Sequence, residues 1–547
     1  MIYKQDYHNK GMKQLAKTVK AAAAIMAACL SVSALAACGT DQDGAAATGA
    51  PSAGAAETAP ATAKPKQEIS ISVYDRGEVN TSEGNYENNR WTKWINENGP
   101  ATVKWVPVPR NEAQTKLNTL IASGGAPDLI WEYDRNYIAQ LANQGAIQPI
   151  DQYIEKYSTT FKNYLKENPE LKPYLMVNGK MYAFSSVRGQ EAVANAGMWI
   201  RQDWLDKLGL KAPTTTEEFL EVARKFKTED PDGNGKADTV PIVFNANGPT
   251  VMRNLFASHW GQWYLEDGKL EFGRISDRYM DSMDFQKQLY DQGLLDQEYI
   301  TDKNAQRATQ LWTTGKAGIF MGSWDMENIF KDLKKNLPDA KMTALEPFTT
   351  KYGKNGLLQS AIPNIVVAFN SKMKEEKIEA AVKFLDWMLD SGWKPLKYGE
   401  ENVHYKMVNG VPQTIDADKY RKEAYYAREY AVVSQYGLKP EWFSVMAASD
   451  AVSQEYAKEK ANSLTVAMKN KFRRDIPYSP DLPELSQLIA TFNPIAEQIE
   501  AKVVTGGAAM SAKAGMEEAR KEWNRLGGEN VNKLVNEWYQ QNKDQLK

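Results

Sequence analysis

The chain has 547 residues, and its 67 lysines and arginines against 69 aspartates and glutamates give a formal net charge of −2, which argues against nucleic acid as a partner. Its length exceeds the size at which one hydrophobic core usually divides, so two domains are expected. Two cysteines and three histidines exclude a disulfide framework and a histidine-rich metal site. The motifs G-x-S-x-G, H-E-x-x-H, G-x-x-x-x-G-K-[ST] and G-x-G-x-x-G are missing from the sequence, which favours binding over catalysis.

Residues 1–37 are predicted to be a lipoprotein signal peptide. Lys13, Lys17 and Lys20 form a cationic start, and residues 21–36 form an apolar stretch that is short for a membrane span. The stretch ends in Leu35-Ala36-Ala37-Cys38, the pattern of a bacterial lipobox, at which the cysteine is lipidated and everything before it is removed. Cleavage would also remove Cys29, so the mature chain would keep no free thiol.

Residues 38–67 are predicted to be the lipidated cysteine and a disordered tether. The sequence from Gly39 to Gln67 consists mainly of Gly, Ala, Thr and Pro, and it contains no large apolar residue. Such a segment cannot bury enough surface to fold. A lipid on Cys38 would therefore hold the folded part near a membrane.

The folded part begins with a pattern that is typical of a parallel α/β sheet. Ile69, Ile71 and Val73 alternate with serines and predict a strand, residues 103–106 predict a second strand, and residues 128–131 predict a third, buried one. A helix is predicted from about 111 to 123, with Gly124 as its C-terminal stop. Sheets of this kind bind ligands at the carboxyl ends of their strands.

A second α/β segment is predicted from about Trp199 onward. Its helix after Thr215 begins with a capping box and has an apolar face. Residues 364–369 then predict another strand, and the helix after Ser371 resumes the pattern of the first segment beyond a long insertion.

The segment from Asp230 to Asp238 resembles the start of an EF-hand calcium loop. The predicted metal ligands are Asp230, Asp232, Asn234, Lys236 through its backbone carbonyl, and Asp238, with Gly235 at the tight turn. Pro241 stands at the twelfth position, where an EF-hand has glutamate, so a weaker or water-completed structural Ca²⁺ site is expected. The alternative is an ordinary Asp/Gly turn without metal.

Four segments, taken in order and behind a lipobox, resemble one protein family. They are Tyr74-Asp75-Arg76-Gly77-Glu78, the stretch from Lys116-Leu117-Asn118 to Gly124-Gly125-Ala126-Pro127-Asp128-Leu129, the stretch from Trp199-Ile200-Arg201 to Leu208-Gly209-Leu210, and Asp230-Pro231-Asp232-Gly233-Asn234-Gly235. The chain is similar to the extracellular solute-binding proteins that deliver sugars to ABC importers, and within them to the long lipoprotein branch of Gram-positive bacteria.

The resemblance implies an α/β, periplasmic-binding-protein-like fold, with two lobes, a hinge and a ligand cleft between the lobes. The N-terminal lobe would comprise residues 68–186 and 364–435, and the C-terminal lobe residues 187–363 and 436–547. Crossings are expected near 183–189 and 360–365, with a further return around 436–442. The lobes would close over the ligand, and a permease would recognise the closed form of a monomer on the extracellular face of the cell membrane.

Sugars present flat apolar faces edged by hydroxyls, so a sugar cleft needs aromatic rings surrounded by polar side chains. Residues that follow predicted strands are the first candidates, although large aromatics are more often core residues. These candidates are Asp75, Arg76, Trp131, Tyr133, Trp324 and Asp325.

Five further residues are weaker candidates. Trp260 and Trp263 lie on a polar, glycine-containing stretch, where a role on the lobe surface is an equal alternative. Trp199 would follow the hinge, and Arg188 at the hinge could reach either a ligand oxygen or a structural carboxylate. His404 is included, although a lone histidine is more often structural.

The sequence therefore predicts a membrane-tethered protein that captures a carbohydrate, an oligosaccharide in particular, for an ABC importer without catalysis. Two alternatives stay open. One is a surface glycoside hydrolase or lyase with a carboxylate pair across the cleft. The other is a binding protein for a peptide or another non-sugar solute, because the fold alone does not set the ligand.

Overall fold

A computed structural model describes residues 65–302 and 305–546 and shows two α/β lobes, each built around one sheet. The signal peptide, Cys38 and nearly all of the tether that the sequence predicts lie outside these residues. The strands are β1 (Glu68–Asp75), β2 (Thr102–Pro109), β3 (Leu129–Glu132), β4 (Met176–Val177), β5 (Lys180–Met181), β6 (Ala183–Val187), β7 (Gly197–Arg201), β8 (Val240–Phe244), β9 (Trp263–Glu266), β10 (Lys269–Phe272), β11 (Ala317–Gly322), β12 (Met342–Ala344), β13 (Thr349–Thr350), β14 (Gly353–Lys354), β15 (Pro363–Phe369), β16 (Tyr405–Val408) and β17 (Val411–Thr414).

Helices cover both sheets and form most of the C-terminal part of the chain. The α-helices span Arg90–Asn98, Ala113–Ala122, Arg135–Asn143, Asp151–Tyr157, Thr160–Glu167, Lys172–Leu175, Gln190–Val193, Gln202–Leu208, Thr216–Thr228, Gly248–Leu255, Asp277–Asp291, Gln306–Thr313, Glu327–Asn336, Glu375–Trp387, Trp393–Tyr398, Ala417–Glu423, Phe443–Met446, Ala451–Lys469, Pro483–Thr505, Ala512–Arg525 and Gly528–Asn542. Among the described residues, no helix is both long and apolar enough to cross a membrane.

The first lobe contains a five-stranded sheet in the order β2-β1-β3-β15-β6. β1 runs parallel to β2 and to β3, which confirms the three strands and the parallel pairing that the sequence predicts for this region. β15 runs antiparallel to both β3 and β6. The late strand predicted at 364–369 is therefore present, and it lies inside the sheet of the first lobe.

The second lobe contains a four-stranded sheet in the order β12-β7-β11-β8. β11 runs parallel to β8 and antiparallel to β7. The predicted capping box holds in part: the Thr215 hydroxyl accepts a hydrogen bond from the Glu218 N–H, whereas the Glu218 carboxylate accepts from Thr214 instead of Thr215. The face that contains Phe219, Val222 and Phe226 is buried against the sheet.

The two lobes have separate hydrophobic cores. The core of the first lobe takes its residues from two stretches of sequence, 69–184 and 365–433. The second lobe has a core on each face of its sheet and an additional one, in which Phe272, Phe492 and Trp523 pack together beneath the C-terminal helices.

Three chain segments connect the lobes and contact one another. The segments around 187–195 and 358–363 run side by side, because Arg188 N–H donates to the Ile362 carbonyl at 2.8 Å and Ala194 forms a bridge with Gln359. The third segment joins them at Gly437, where a Cβ atom placed on Gly189 would lie only 2.8 Å from the Gly437 Cα. Glycine at 189 therefore permits the close approach of two crossing segments.

Candidate ligand-binding site at the lobe boundary

Aromatic and acidic side chains meet at the carboxyl ends of β1 and β3. The Tyr74 hydroxyl donates a short hydrogen bond to the Glu132 carboxylate, which also accepts the Tyr133 N–H at 2.7 Å. The rings of Tyr74 and Tyr133 lie 6.0 Å apart. Burial, more than the neighbouring carboxylate, raises the pKa of Tyr74, so its hydroxyl remains a donor at neutral pH.

Arg110, directly after β2, lies over these two tyrosines. Its guanidinium carbon is 4.6 Å from the centre of the Tyr74 ring and 5.7 Å from that of Tyr133. Such cation–π contacts hold the guanidinium in place while leaving its N–H groups available to other acceptors. Within the described part of the chain, no carboxylate lies within 4.0 Å of Arg110.

Asp75 and Arg76, both predicted to bind ligand, lie at this edge of the sheet with defined local partners. The Asp75 carboxylate is exposed and accepts the Gly77 N–H at 2.8 Å, which shapes the turn after β1. Arg76 forms an ion pair with Glu429 at 3.0 Å, and Glu429 also lies 3.4 Å from Arg428. The charge of Arg76 is therefore already balanced.

Arg188 lies on a crossing segment and pairs with a backbone carbonyl. Its Nε and Nη2 donate to the Pro363 carbonyl at 3.3 and 3.1 Å. Burial lowers its pKa, and the nearby charge of Arg474 lowers it further. Of the two roles that the sequence allows, pairing with a structural carboxylate is not observed among the described residues.

Trp260 is an exposed aromatic of the second lobe, and its neighbour His259 lies within electrostatic reach of Arg474, which donates to the Gln359 carbonyl of a crossing segment. The Trp260 side chain is 39% exposed, and its ring is stacked on His259 at a centroid distance of 5.2 Å. Burial lowers the pKa of His259 to about 3, and the charges of Arg253, Arg474 and Arg274 add to the shift. The neutral imidazole accepts the Gly261 N–H at 3.0 Å, and this hydrogen bond fixes the ring on which the indole of Trp260 stacks.

Four predicted tryptophans lie in the cores instead of at a ligand surface. Trp131, Trp199 and Trp263 are fully buried, and Trp324 is nearly so. Trp131 packs against Tyr74, Trp199 donates to the Ser323 carbonyl at 2.9 Å, and Trp263 packs against Trp523. All four residues of β3 are buried on both faces, so the position of Trp131 at a strand end does not expose it. The prediction that these rings face the ligand is not supported by their positions.

Asp325 and His404 have structural roles. Asp325 accepts the Tyr456 hydroxyl at 2.5 Å and pairs with Lys460 at 2.8 Å, which fixes the long helix of the second lobe. His404 is fully buried, accepts the Glu400 N–H at 3.0 Å and lies 3.4 Å from Glu423. These contacts within the protein differ from the ligand contacts that the sequence predicts for Asp325 and His404.

The loop at 230–238 contacts Lys316, which directly precedes β11. The ammonium of Lys316 lies 3.0 Å from Asp232 and 2.9 Å from Asp238, and these contacts raise its pKa. Asp230 accepts backbone N–H groups of the loop. Across residues 65–302 and 305–546, no group of three or more acidic, histidine or cysteine side chains is arranged to hold a metal ion. One buried oxygen of Asp232 has no partner in the same ranges.

Two arginines at the boundary were missed from the sequence. Arg110 follows β2, so the rule that selected the residues after β1 and β3 could have found it. Arg474 donates to the Gln359 carbonyl at 2.7 Å from an irregular segment after the helix Ala451–Lys469, and no sequence pattern marks that position.

Comparison with known proteins gives a consistent result. The family model described as bacterial extracellular solute-binding protein matches residues 85–395. Lipoprotein LipO of Bacillus subtilis is 26% identical over 469 residues, which cover 81% of this chain and 86% of LipO. The fructooligosaccharide ABC transporter substrate-binding protein FusA of Streptococcus pneumoniae is 33% identical over 244 residues, 42% of this chain and 45% of FusA. The polygalacturonan/rhamnogalacturonan-binding protein YtcQ of B. subtilis is 28% identical over 315 residues, 55% of this chain and 60% of YtcQ.

Solved structures share the fold. An extracellular solute-binding protein from Bifidobacterium longum subsp. infantis has a TM-score of 0.67 at 20% identity and covers 90% of this chain and 100% of its own. The alginate-binding protein AlgQ2, solved without calcium ion, has a TM-score of 0.60 at 19% identity and covers 87% and 99%. An EF-hand mutant of S. pneumoniae FusA in complex with fructo-nystose has a TM-score of 0.60 at 18% identity and covers 87% and 100%.

Proposed function

The chain belongs to the bacterial extracellular solute-binding proteins, and from this we propose that it captures an oligosaccharide outside the cell and delivers it to an ABC importer. The observation that carries the proposal is the meeting of aromatic rings and hydrogen-bond donors where the lobes join. Tyr74, Tyr133 and Arg110 lie on the first lobe, Arg188 lies at the crossing, and Trp260 lies on the second lobe.

The chemistry of this boundary suits a sugar. Tyrosine and tryptophan rings cover the apolar face of a pyranose or furanose, and guanidinium groups donate to its oxygens. The names of FusA and YtcQ specify oligosaccharide and polysaccharide ligands, which supports a carbohydrate for this chain as well. A boundary that offers several rings and several cations is suited to more than one sugar unit.

The proposal includes a membrane anchor and a permease partner. Cleavage before Cys38 and lipidation of its thiol would tether a monomeric receptor to the outer face of the membrane through residues 39–67. LipO, which matches most of the chain, is named a lipoprotein. The lobes would hinge about the crossing segments near Gly189 and Gly437, and the permease would receive the closed form.

The proposed role is binding without catalysis. Two almost fully buried carboxylates at the boundary are engaged: Glu132 accepts from Tyr74 and Tyr133, and Glu429 pairs with Arg76. Glu191, whose pKa is raised by burial, lies on a crossing segment and accepts the Leu438 N–H at 2.9 Å. A hydrolase would need one free carboxylate and one protonated carboxyl across the scissile bond. Incubation with polysaccharides and analysis for shortened products tests this part, and product formation would contradict it.

Calcium in the loop at 230–238 is a further part of the proposal. The loop supplies oxygen ligands of the kind that Ca²⁺ prefers, and the free oxygen of Asp232 is one of them. As arranged, however, the cation that contacts Asp232 and Asp238 is the ammonium of Lys316. The loop does not fit Ca²⁺ in this arrangement, and we propose that the metal binds only when Lys316 moves away.

The test is a ligand panel on the mature chain from residue 39. Thermal shift and tryptophan fluorescence would be measured with fructo-, malto-, xylo- and galacto-oligosaccharides and with acidic oligosaccharides. A ligand at 100 times its Kd stabilises a protein by about 2.7 kcal/mol, which is readily seen in a melting curve. Peptide mixtures serve as the comparison set. No response to any carbohydrate, together with a response to peptides, would refute the proposed function.

A further inference from the structure

Three half-buried arginines at the lobe boundary have no acidic partner. Arg110, Arg188 and Arg474 each lie partly out of solvent, and in the described part of the protein no carboxylate comes within 4.0 Å of any of them. Arg253, Arg201 and Arg428, which are also partly or fully buried, are paired with Glu500, Asp203 and Glu78. Among the described residues, Arg135 also lies without an ion pair, and it donates to the Met176 carbonyl and packs over the ring of Tyr478. Because a desolvated cation without a counter-charge is unfavourable, unpaired arginines at a cleft point to an anion that is supplied from outside.

Two of the three are attached to the same crossing segment. Arg188 donates to the Pro363 carbonyl and Arg474 donates to the Gln359 carbonyl, four residues earlier. The groups that act electrostatically on Arg188 are Tyr133 and Arg474, with no carboxylate among them. Two like charges are therefore held near each other at the hinge, where a negative group would relieve their repulsion.

The third arginine extends this positive surface into the first lobe. Arg110 lies over Tyr133, and Tyr133 in turn is within electrostatic reach of Arg188. The nearby acids cannot neutralise the cluster, since Glu132 accepts two hydrogen bonds of its own and Glu429 already pairs with Arg76. The ring of Tyr133 thus contacts one of these cations and is within electrostatic reach of another.

We propose that the ligand is an acidic oligosaccharide, and that Arg110, Arg188 and Arg474 bind its carboxylates while Tyr133 and Trp260 stack on its rings. This inference rests on the proposed function and names the substrate class for the same site. Guanidinium groups match carboxylates with two parallel hydrogen bonds, and each such contact is stronger than one to a neutral hydroxyl.

The test compares acidic oligosaccharides with their carboxyl-reduced counterparts. Oligogalacturonides, alginate oligomers and glucuronate-bearing xylan fragments would be titrated calorimetrically against the mature chain, each beside the same oligomer with its carboxyl groups reduced to alcohols. We expect binding of at least one acidic oligomer, a loss of affinity of tenfold or more on reduction, and weaker binding at higher salt. Equal or tighter binding of neutral oligomers would overturn this inference and leave the proposed function intact. Absence of binding to every carbohydrate would overturn both.

Substitutions at the arginines test whether these residues cause the preference for the acidic ligand. Arg188→Gln and Arg474→Gln should each weaken the acidic ligand by about tenfold to a hundredfold, the range for a hydrogen bond to a charged group, and weaken the reduced ligand much less. Arg474→Lys should restore part of the affinity, because it keeps the charge and loses the paired geometry. Arg525→Gln, at an exposed arginine paired with Glu522, is the matched control. A similar loss for acidic and reduced ligands would show a structural role only and would overturn the assignment.

Discussion

Replacement of Trp260 by alanine removes the exposed aromatic surface of the second lobe. The indole is 39% exposed, and a tryptophan buries up to about 250 Å² when fully covered, so about 100 Å² remains for a ligand to cover. At about 25 cal/mol per Å² this area corresponds to about 2.5 kcal/mol as an upper limit. Sugar faces are only partly apolar, so Trp260→Ala should weaken binding by about 1 to 2.5 kcal/mol, or about 5- to 70-fold.

Calorimetric titration of the best ligand from the panel measures this loss. Met407→Ala is the matched control, since Met407 is 48% exposed on the hairpin of β16 and β17 and is not part of the proposed site. Trp260→Ala should also remove part of the ligand-induced fluorescence change. An unchanged Kd in Trp260→Ala, with the protein folded, would refute the placement of a sugar ring on this indole.

Three further outcomes are expected. Lys316→Met should show a larger Ca²⁺-dependent rise in melting temperature than the native chain and the control Lys331→Met, because the ammonium no longer competes for the loop. An equal response of all three proteins to Ca²⁺ and chelator would contradict this. His259→Asn should make the free energy of unfolding depend less on acid pH. In the native protein the pKa of His259 is held at about 3, whereas the unfolded chain takes up a proton below the ordinary pKa of 6.5, so the contribution of the neutral imidazole to stability is present above pH 6.5 and is lost as pH falls towards 3. Urea unfolding at pH 5 and 7.5 measures the difference. Gly189→Ala should destabilise the folded protein by about 1 to 3 kcal/mol and slow lobe closure, because its Cβ would lie 2.8 Å from the Gly437 Cα. The control is Gly437→Ala, whose Cβ would have its nearest contact at 3.3 Å and should be tolerated. Thermal melting and stopped-flow ligand binding measure the two effects.

The strands could be predicted from the local sequence, because alternation of apolar and polar residues matches the two-residue repeat of a strand. Alternation at Ile69, Ile71 and Val73 gives β1, and the resumed pattern at 364–369 gives β15, both within one or two residues of their observed bounds. The antiparallel insertion of β15 between β3 and β6 was not predicted, because strand order depends on contacts between segments that are distant in sequence.

The site was predicted less well, for a physical reason. A strand end identifies an edge of the sheet, where Arg76 and Tyr133 do lie, but it does not tell whether a large ring points into the core, as Trp131 does. Trp199, which was selected because it follows the hinge, and Trp263, which was selected on a polar stretch, are core residues as well. The partners that balance or expose a charge come from elsewhere in the chain: Glu429 for Arg76, and Arg474 beside Arg188.

The position of β15 also sets an order for folding. β6 pairs in the first sheet through β15, so that sheet is incomplete until residue 369 has emerged from the ribosome. The sheet of the second lobe, from 197 to 344, is complete before then. The sheet of the lobe that starts the chain is therefore completed after the sheet that is inserted within its sequence, and β3 stays an unpaired edge strand during the interval. A nascent chain of this architecture needs protection from aggregation for about two hundred residues of synthesis, at roughly 5 to 20 residues per second a period of some 10 to 40 seconds.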